Sequence, residues 1–287
     1  MRSLLRLTLV CLTAGLLFSC NTAPKKLTRE DLGWKLGTQA YTFRNFTFFE
    51  AVEKTKALGL HYIEAYPGQK IGGGMDGVMN YDMDSTSRQK IKDYLQKEGV
   101  ELIAFGVIVP RTTGQWDSLF AFAQEMGVSN IVSEPLPEQL PYVSKLCDQY
   151  QINVAIHNHP KPSHYWSPDT LLAATSGLST RIGSCADLGH FIRSGLDPLE
   201  SLRKLEGHLI EFHFKDVSVN GPEAEDTIWG TGICDLPAII SEIQRQHFKG
   251  YFSIEYESDP ADNMNQIQKS IQYFDQQIGQ LKETATD

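Results

Sequence analysis

Basic side chains are scarce in this sequence: 26 Lys and Arg stand against 35 Asp and Glu, a formal net charge of −9 over 287 residues. That balance repels nucleic acid and anionic lipid and excludes a protein that tracks a phosphate backbone. Cysteine is sparse as well. Past residue 20 it occurs at Cys147, Cys185 and Cys234, an odd number without paired spacing, so these read as buried thiols rather than a disulfide framework. Beyond the start of the chain no apolar run approaches the ~20 residues that span a bilayer. A glycine-rich turn after the first candidate strand is also lacking, since residues 37–45 read GTQAYTFRN. This argues against a doubly wound dinucleotide-binding sheet. The triple glycine Gly72 to Gly74 has no strand directly before it or helix directly after it, and reads as flexible loop rather than phosphate cradle.

What is present begins with a leader. Arg2 and Arg6 precede an apolar stretch over residues 7–18, and Leu17-Phe18-Ser19-Cys20 resembles the bacterial lipobox. The expectation is export, removal of residues 1–19 and lipidation of Cys20, with the protein anchored to a bacterial membrane and facing the periplasm. Ordinary signal cleavage elsewhere is the alternative. Loss of Arg2 and Arg6 would move the net charge from −9 to −11. Membrane contact is expected through the N-terminal lipid alone. Residues 20–33 read as a polar tether, 34–283 as one folded domain and 284–287 as a frayed tail. No feature of the sequence specifies an oligomer.

From Trp34 onward a unit recurs: a helical pattern, a glycine, then a short strand. Ala51, Val52, Thr55 and Leu58 precede Gly59 and HYIEAY; Ile91, Tyr94 and Leu95 precede Gly99 and ELIAF. Leu119, Phe122, Ala123 and Met126 precede Gly127 and NIVSEP, Leu202 and Leu205 precede Gly207 and LIEFHF, and Leu236, Ile239, Ile240 and Ile243 precede Gly250 and YFSIEY. Glycine just past a helix adopts the left-handed cap without strain. With GTQAY, NVAIHN and IGSCAD the strands number eight, alternating with helices, which predicts a (β/α)8 TIM barrel. A last helix bearing Ile267, Ile271, Phe274, Ile278 and Leu281 on one face would close its outer ring.

Active sites of such barrels lie at the carboxyl ends of the strands. Period-two alternation puts Ala155, His157 and His159 on one face of the fifth strand, Glu211, His213 and Lys215 on one face of the seventh, and Ser253, Glu255 and Glu257 on one face of the eighth. The sixth strand ends on Asp187 and the fourth on Glu134. Ionisable groups at consecutive strand ends, all of inward parity, would crowd like charges unless a cation or substrate compensated them. Two imidazoles and two carboxylates, from His157, Asp187, His213 and Glu255, suit one divalent ion of Mn, Co, Zn or Fe better than Mg or Ca. Lys70, Trp166 and Trp229 lie in loops where they would line a pocket and contact substrate, the Trp rings through flat apolar faces, and His190, three residues past Asp187, would begin the next helix and face the site.

Asp187-Leu188-Gly189-His190 after the sixth strand, His213 within EFHFKD and Glu255 at the eighth strand resemble the xylose isomerase-like barrels of the sugar phosphate isomerase/epimerase family, over roughly residues 34–281. That superfamily includes keto-sugar epimerases, inosose dehydratases, hydroxypyruvate isomerases, endonuclease IV and lyases acting on 3-keto-glycosides. The resemblance implies a small-molecule carbohydrate substrate. It also implies that the fifth strand would end in a glutamate acting with Glu255 as a second, opposed base; here His157 stands in its place. What survives is simpler: a base, His159, Glu134 or Lys215, removes a proton beside a metal-chelated ketone, and a second group supplies a proton to a β-alkoxy leaving group. IHNHP, DLGH, HFKD and EYE look most like the lyase branch. Keto-sugar isomerisation or epimerisation is the alternative, and a non-catalytic carbohydrate-binding lipoprotein is the rival from another class. Endonuclease activity is disfavoured by the acidic surface.

Overall fold

The computed structural model describes residues 26–282. The expected signal segment, the lipidation site Cys20 and the tail 284–287 lie outside the described residues. Eight parallel strands follow in chain order: β1 (Trp34–Gln39), β2 (Tyr62–Ala65), β3 (Glu101–Ile108), β4 (Asn130–Ser133), β5 (Asn153–His157), β6 (Ile182–Asp187), β7 (Leu209–Phe214) and β8 (Gly250–Ile254). Each pairs with its neighbour in sequence, and β8 closes on β1 through the register Trp34 with Gly250 to Thr38 with Ile254. The result is the (β/α)8 barrel that the strand count predicts.

Alternation along the strands sorts side chains into two environments. Phe212, Phe214, Phe252 and Ile254 turn outward, are buried under the helices and form part of the main core. Phe212 and Phe252 stack at 4.9 Å, and Phe274 of the last helix, Met264–Ile278, lies 5.3 Å from Phe252. Burying such a side chain contributes roughly 1.5–3 kcal/mol relative to leaving it exposed, which is what holds this helix across the closing seam. The opposite parity points into the barrel, where Glu64, Glu211, His213 and Ser253 are all buried.

Local signals fix the helix starts. Thr47 and Glu50 form a capping box on Phe48–Ala57, and Thr112 and Gln115 do the same on Thr113–Met126. Gly59, Gly99, Gly127 and Gly207 all have positive φ, as expected of helix-terminating glycines.

Three details differ from the sequence reading. Arg29–Leu32, taken as the end of the tether, is a helical turn capped by Thr28 and tied by Arg29 to Asp275. Gly72 to Gly74 belong to a small hairpin, Lys70–Gly72 with Met75–Val78, and their φ of 92°, 60° and 75° explain the triplet. Gly250 is the first residue of β8 rather than a cap; the left-handed residue before it is His247, at φ 53°. A Cβ on Gly250 would stand 2.5 Å from the Phe248 ring, so close packing selects glycine there.

Close approach likewise governs Gly183 in β6, where a Cβ would lie 2.3 Å from the carbonyl oxygen of His208. Gly183→Ala is expected to destabilise the fold by about 1–3 kcal/mol, read as a lower urea midpoint at unchanged slope. An unaltered midpoint would contradict this packing.

Candidate active site

The ends of β5 to β8 converge. One ligand-type atom from each of His157, Asp187, His213 and Glu255 falls within 4.8 Å of all the others, and all four residues are buried. Each side chain is aimed by a local device. Asp187 ends β6 and also caps the helix Leu188–Arg193: its Oδ1 accepts from His190 N at 2.7 Å, which turns Oδ2 toward the cluster. Asn158 clamps the ends of β5 and β6, its Nδ2 donating to Asp187 O at 3.0 Å and its Oδ1 accepting from Asp187 N at 2.7 Å. His213 gives Nε2–H to Glu64 Oε2 at 3.0 Å, and Ser253 donates to the same oxygen at 2.8 Å. Burial opposes a charge on His213, but Cys185, Glu64 and Glu255 outweigh it and raise the ring well above the ordinary histidine value. Its Nδ1, which faces Glu255, would therefore have to give up its proton to bind a cation, with Glu64 then standing behind the imidazole.

Buried polar atoms normally find hydrogen-bond partners. Here His157 Nε2, Asp187 Oδ2 and His213 Nδ1 make no hydrogen bond. Their neighbours are near but poorly aligned: His157 Nε2 is 3.5 Å from Asp187 Oδ2, and His213 Nδ1 is 2.9 Å from Glu255 Oε2. Two ring nitrogens and two carboxylate oxygens gathered at one point suit a divalent cation once His213 is deprotonated. Burial first, and then the neighbouring His159, lower the pKa of His157 to about 4, so its ring is neutral near pH 7, as a ligand must be.

Lys215 supplies positive charge at the same place. Its buried Nζ lies 2.9 Å from Asp187 Oδ2, 2.8 Å from Glu255 Oε2 and 3.2 Å from Glu257 Oε1. Burial works against the charge, but Asp187 and Glu255 outweigh it and hold Lys215 as an ammonium. Lys215 is therefore an ammonium set among three carboxylates. Burial also opposes ionisation of Glu255, yet Lys215 and His213 keep that carboxyl well below the usual range.

His159 behaves differently. Its Nδ1 bonds Glu134 Oε1, and the other oxygen of Glu134 accepts from Ser163 Oγ at 2.5 Å. Burial opposes protonation of His159, but Glu134 overcomes it and raises the ring above the ordinary histidine value. With Nδ1 occupied, Nε2 of this half-exposed ring is left for the cavity. His190 is set by a second chain of contacts: its Nδ1 lies 3.3 Å from Arg193 Nη1, and Arg193 Nη2 pairs with Asp226 Oδ1 at 2.9 Å. A guanidinium only donates, so Nδ1 of His190 accepts and the ring proton sits on Nε2.

A cavity of about 530 Å³ opens over these groups, lined by His157, His159, His190, Glu255 and Glu257 from the segments that end β5 to β8 and by Gln39, Tyr41, Tyr66, Pro67, Gly106 and Val107 from β1 to β3. Another cavity of about 600 Å³ lies beside Ile192, Leu199 and Ile239, but its acids Asp197 and Asp235 are spent capping helices.

The structure thus gathers His157, Asp187, His213, Glu255, His159, Glu134, Lys215 and His190 in one place. Three residues expected to contact substrate lie elsewhere. Trp229 is 2% exposed and packs on Phe214 and Phe274, because Asp216 accepts from Gly230, Gly232 and Cys234 amides and folds its loop onto the last helix. Trp166 stacks under Lys161 at 3.8 Å, and Lys70 sits exposed on its hairpin; neither lines the cavity. Sequence reasoning missed Glu64, Tyr41, Tyr66 and Asn158. A carboxylate in the middle of the buried strand YIEA was the available signal for Glu64.

Residues 52–277 match the sequence profile of the xylose isomerase-like TIM barrel family. An inosose dehydratase from Lacticaseibacillus casei is 30% identical over 90 residues, which cover 26% of this chain and 30% of that relative's length. A solved structure of an uncharacterised protein from Parabacteroides distasonis is 37% identical, covers 85% of this chain and 99% of its own, and superposes with a TM-score of 0.71. The IolI protein, solved with a zinc atom, shares the fold at a TM-score of 0.69 and 18% identity, covering 87% of this chain and 100% of its own. With most of its length matched and its eight strands closed in sequence order, the chain belongs to the xylose isomerase-like TIM barrel family.

Proposed function

We propose that this protein is a divalent-metal-dependent carbohydrate enzyme that forms an enolate beside a ketone, and that its reaction is β-elimination from a 3-keto-glycoside. One observation carries the reading: the acid-base groups around the cavity are unequal. His159 has one ring nitrogen tied to Glu134 and the other free, whereas Glu255 Oε2 is bound by Lys215 and both oxygens of Glu134 are engaged by His159 and Ser163. Two-base epimerisation needs a free base on each face of the enediolate. Elimination needs one.

A divalent cation held by His157, Asp187, His213 and Glu255 supplies, when bound, Lewis-acid polarisation of the substrate ketone. His159 Nε2 accepts the proton from the carbon between the ketone and the anomeric carbon, and Glu134 stabilises the imidazolium. The C–H pair becomes the new carbon–carbon double bond. The anomeric C–O bond breaks with its electrons on the aglycone oxygen, to which His159 returns the proton. Nothing is oxidised or reduced, and the products are an alcohol and an unsaturated keto-sugar. His190, with Nε2–H toward the cavity, orients a substrate oxygen. Elimination is also the kind of bond change that the name of the inosose dehydratase relative denotes. The lipobox-like Leu17-Phe18-Ser19-Cys20 supports export and anchoring through Cys20, where glycosides outside the cytoplasm are at hand.

Proton NMR of the protein with a 3-keto-glucoside in D2O tests this. Release of aglycone together with an unsaturated keto-sugar is expected. His159→Ala should lower kcat by about 10²–10⁴. Accumulation of a C2 epimer with no aglycone would contradict the proposal. Treatment with a chelator is expected to abolish turnover and Mn2+ or Co2+ to restore it; turnover that survives chelation would remove the cation from the account.

A further inference from the structure

The lining that β1 to β3 contribute to this cavity has a different chemistry. Tyr41 is 37% exposed, one of the few large apolar side chains at the surface of the described residues. Its ring meets that of Tyr66 edge-on, with centroids 5.1 Å apart at 82°. Arg44 lies over the Tyr41 ring at 5.1 Å and is itself pinned by a 2.8 Å bond to Glu257 O, so the aromatic corner is held in place. Beside it Gly106 presents bare backbone, because a Cβ there would stand 2.1 Å from Val132 O. Gln39, the polar side chain of this lining, spends both ends on the main chain: Oε1 accepts from Tyr41 N at 2.9 Å and Nε2 donates to Gly106 O at 3.0 Å.

Apart from the two phenol hydroxyls, the side chains lining this part of the cavity offer aromatic surface rather than free hydrogen-bonding groups. A flat apolar ring gains a rigid edge-to-face corner at low entropic cost. At about 530 Å³ the cavity also falls within the ~300–1,000 Å³ that encloses a drug-sized ligand, which leaves room for a ring beyond the sugar.

We propose that Tyr41 and Tyr66 form the leaving-group subsite, and that it selects glycosides whose aglycone carries a flat aromatic ring. This rests on the elimination reading above: the histidines hold the keto-sugar and the tyrosines hold the group that departs.

The test uses the full chain and three 3-keto-glucosides, benzyl, cyclohexylmethyl and a 3-keto-disaccharide. Benzyl and cyclohexylmethyl alcohols are similar in acidity and size, so their comparison reads ring flatness rather than leaving-group strength. Wild type is expected to favour benzyl over cyclohexylmethyl by about three- to tenfold in kcat/KM. Tyr41→Leu and Tyr66→Leu, which keep apolar bulk, should bring that ratio toward one. Turnover with a wild-type ratio near one, or preference for the disaccharide, overturns the subsite while leaving elimination standing. If no keto-glycoside is turned over, calorimetric binding of the unoxidised benzyl and cyclohexylmethyl glucosides decides. A benzyl preference lost in Tyr41→Leu keeps the subsite and rejects elimination, and equal binding rejects both.

Discussion

Four ionisable side chains buried within 4.8 Å of one another at the mouth of a barrel set the terms for everything around them. Removing such groups from water costs several kcal/mol each unless charge and hydrogen bonds compensate. The fold meets that demand in layers. Lys215 stands between Asp187 and Glu255, Glu64 and Ser253 hold the far side of His213, and Asn158 locks β5 to β6. What these partners leave over, the two ring nitrogens His157 Nε2 and His213 Nδ1 without hydrogen bonds, faces carboxylates that only Lys215 otherwise neutralises.

The layout also explains how the cluster follows from strand order. A closed parallel barrel brings the carboxyl ends of β5, β6, β7 and β8 side by side, so residues far apart in sequence share one site. Parity decides which of them face it. His157, His213 and Glu255 point inward because Ile156, Phe212 and Ile254 point outward into the apolar layer. A one-residue slip of any strand would exchange the two sets. Placement of the clustered residues and core packing are therefore one constraint.

Much of this was legible in the sequence because it depends on period and position. Helix, glycine and strand recur in order, and the polar parity of three strands ends in ligand-type residues. What could not be read depends on long-range packing. Trp229 looks like a platform for sugar from its loop position, yet Asp216 gathers three backbone amides and turns that loop inward. Gly250 looks like a cap, yet a phenyl ring and a neighbouring carbonyl select glycine there. Glu134 reads as one of three candidate bases, and only the folded chain shows both its oxygens bound by His159 and Ser163. Tyr41 and Tyr66 carry no sequence pattern at all; they meet because β1 and β2 are neighbours.

The most direct measurement of the central claim is anomalous diffraction from crystals soaked in Mn2+. A single strong peak is expected among His157 Nε2, Asp187 Oδ2, His213 Nδ1 and the Glu255 carboxylate, with the Lys215 ammonium displaced from at least one of its carboxylates. Absence of a peak at saturating Mn2+, with Lys215 still bridging Asp187 and Glu255, would mean that the lysine is the cation this site was built to hold.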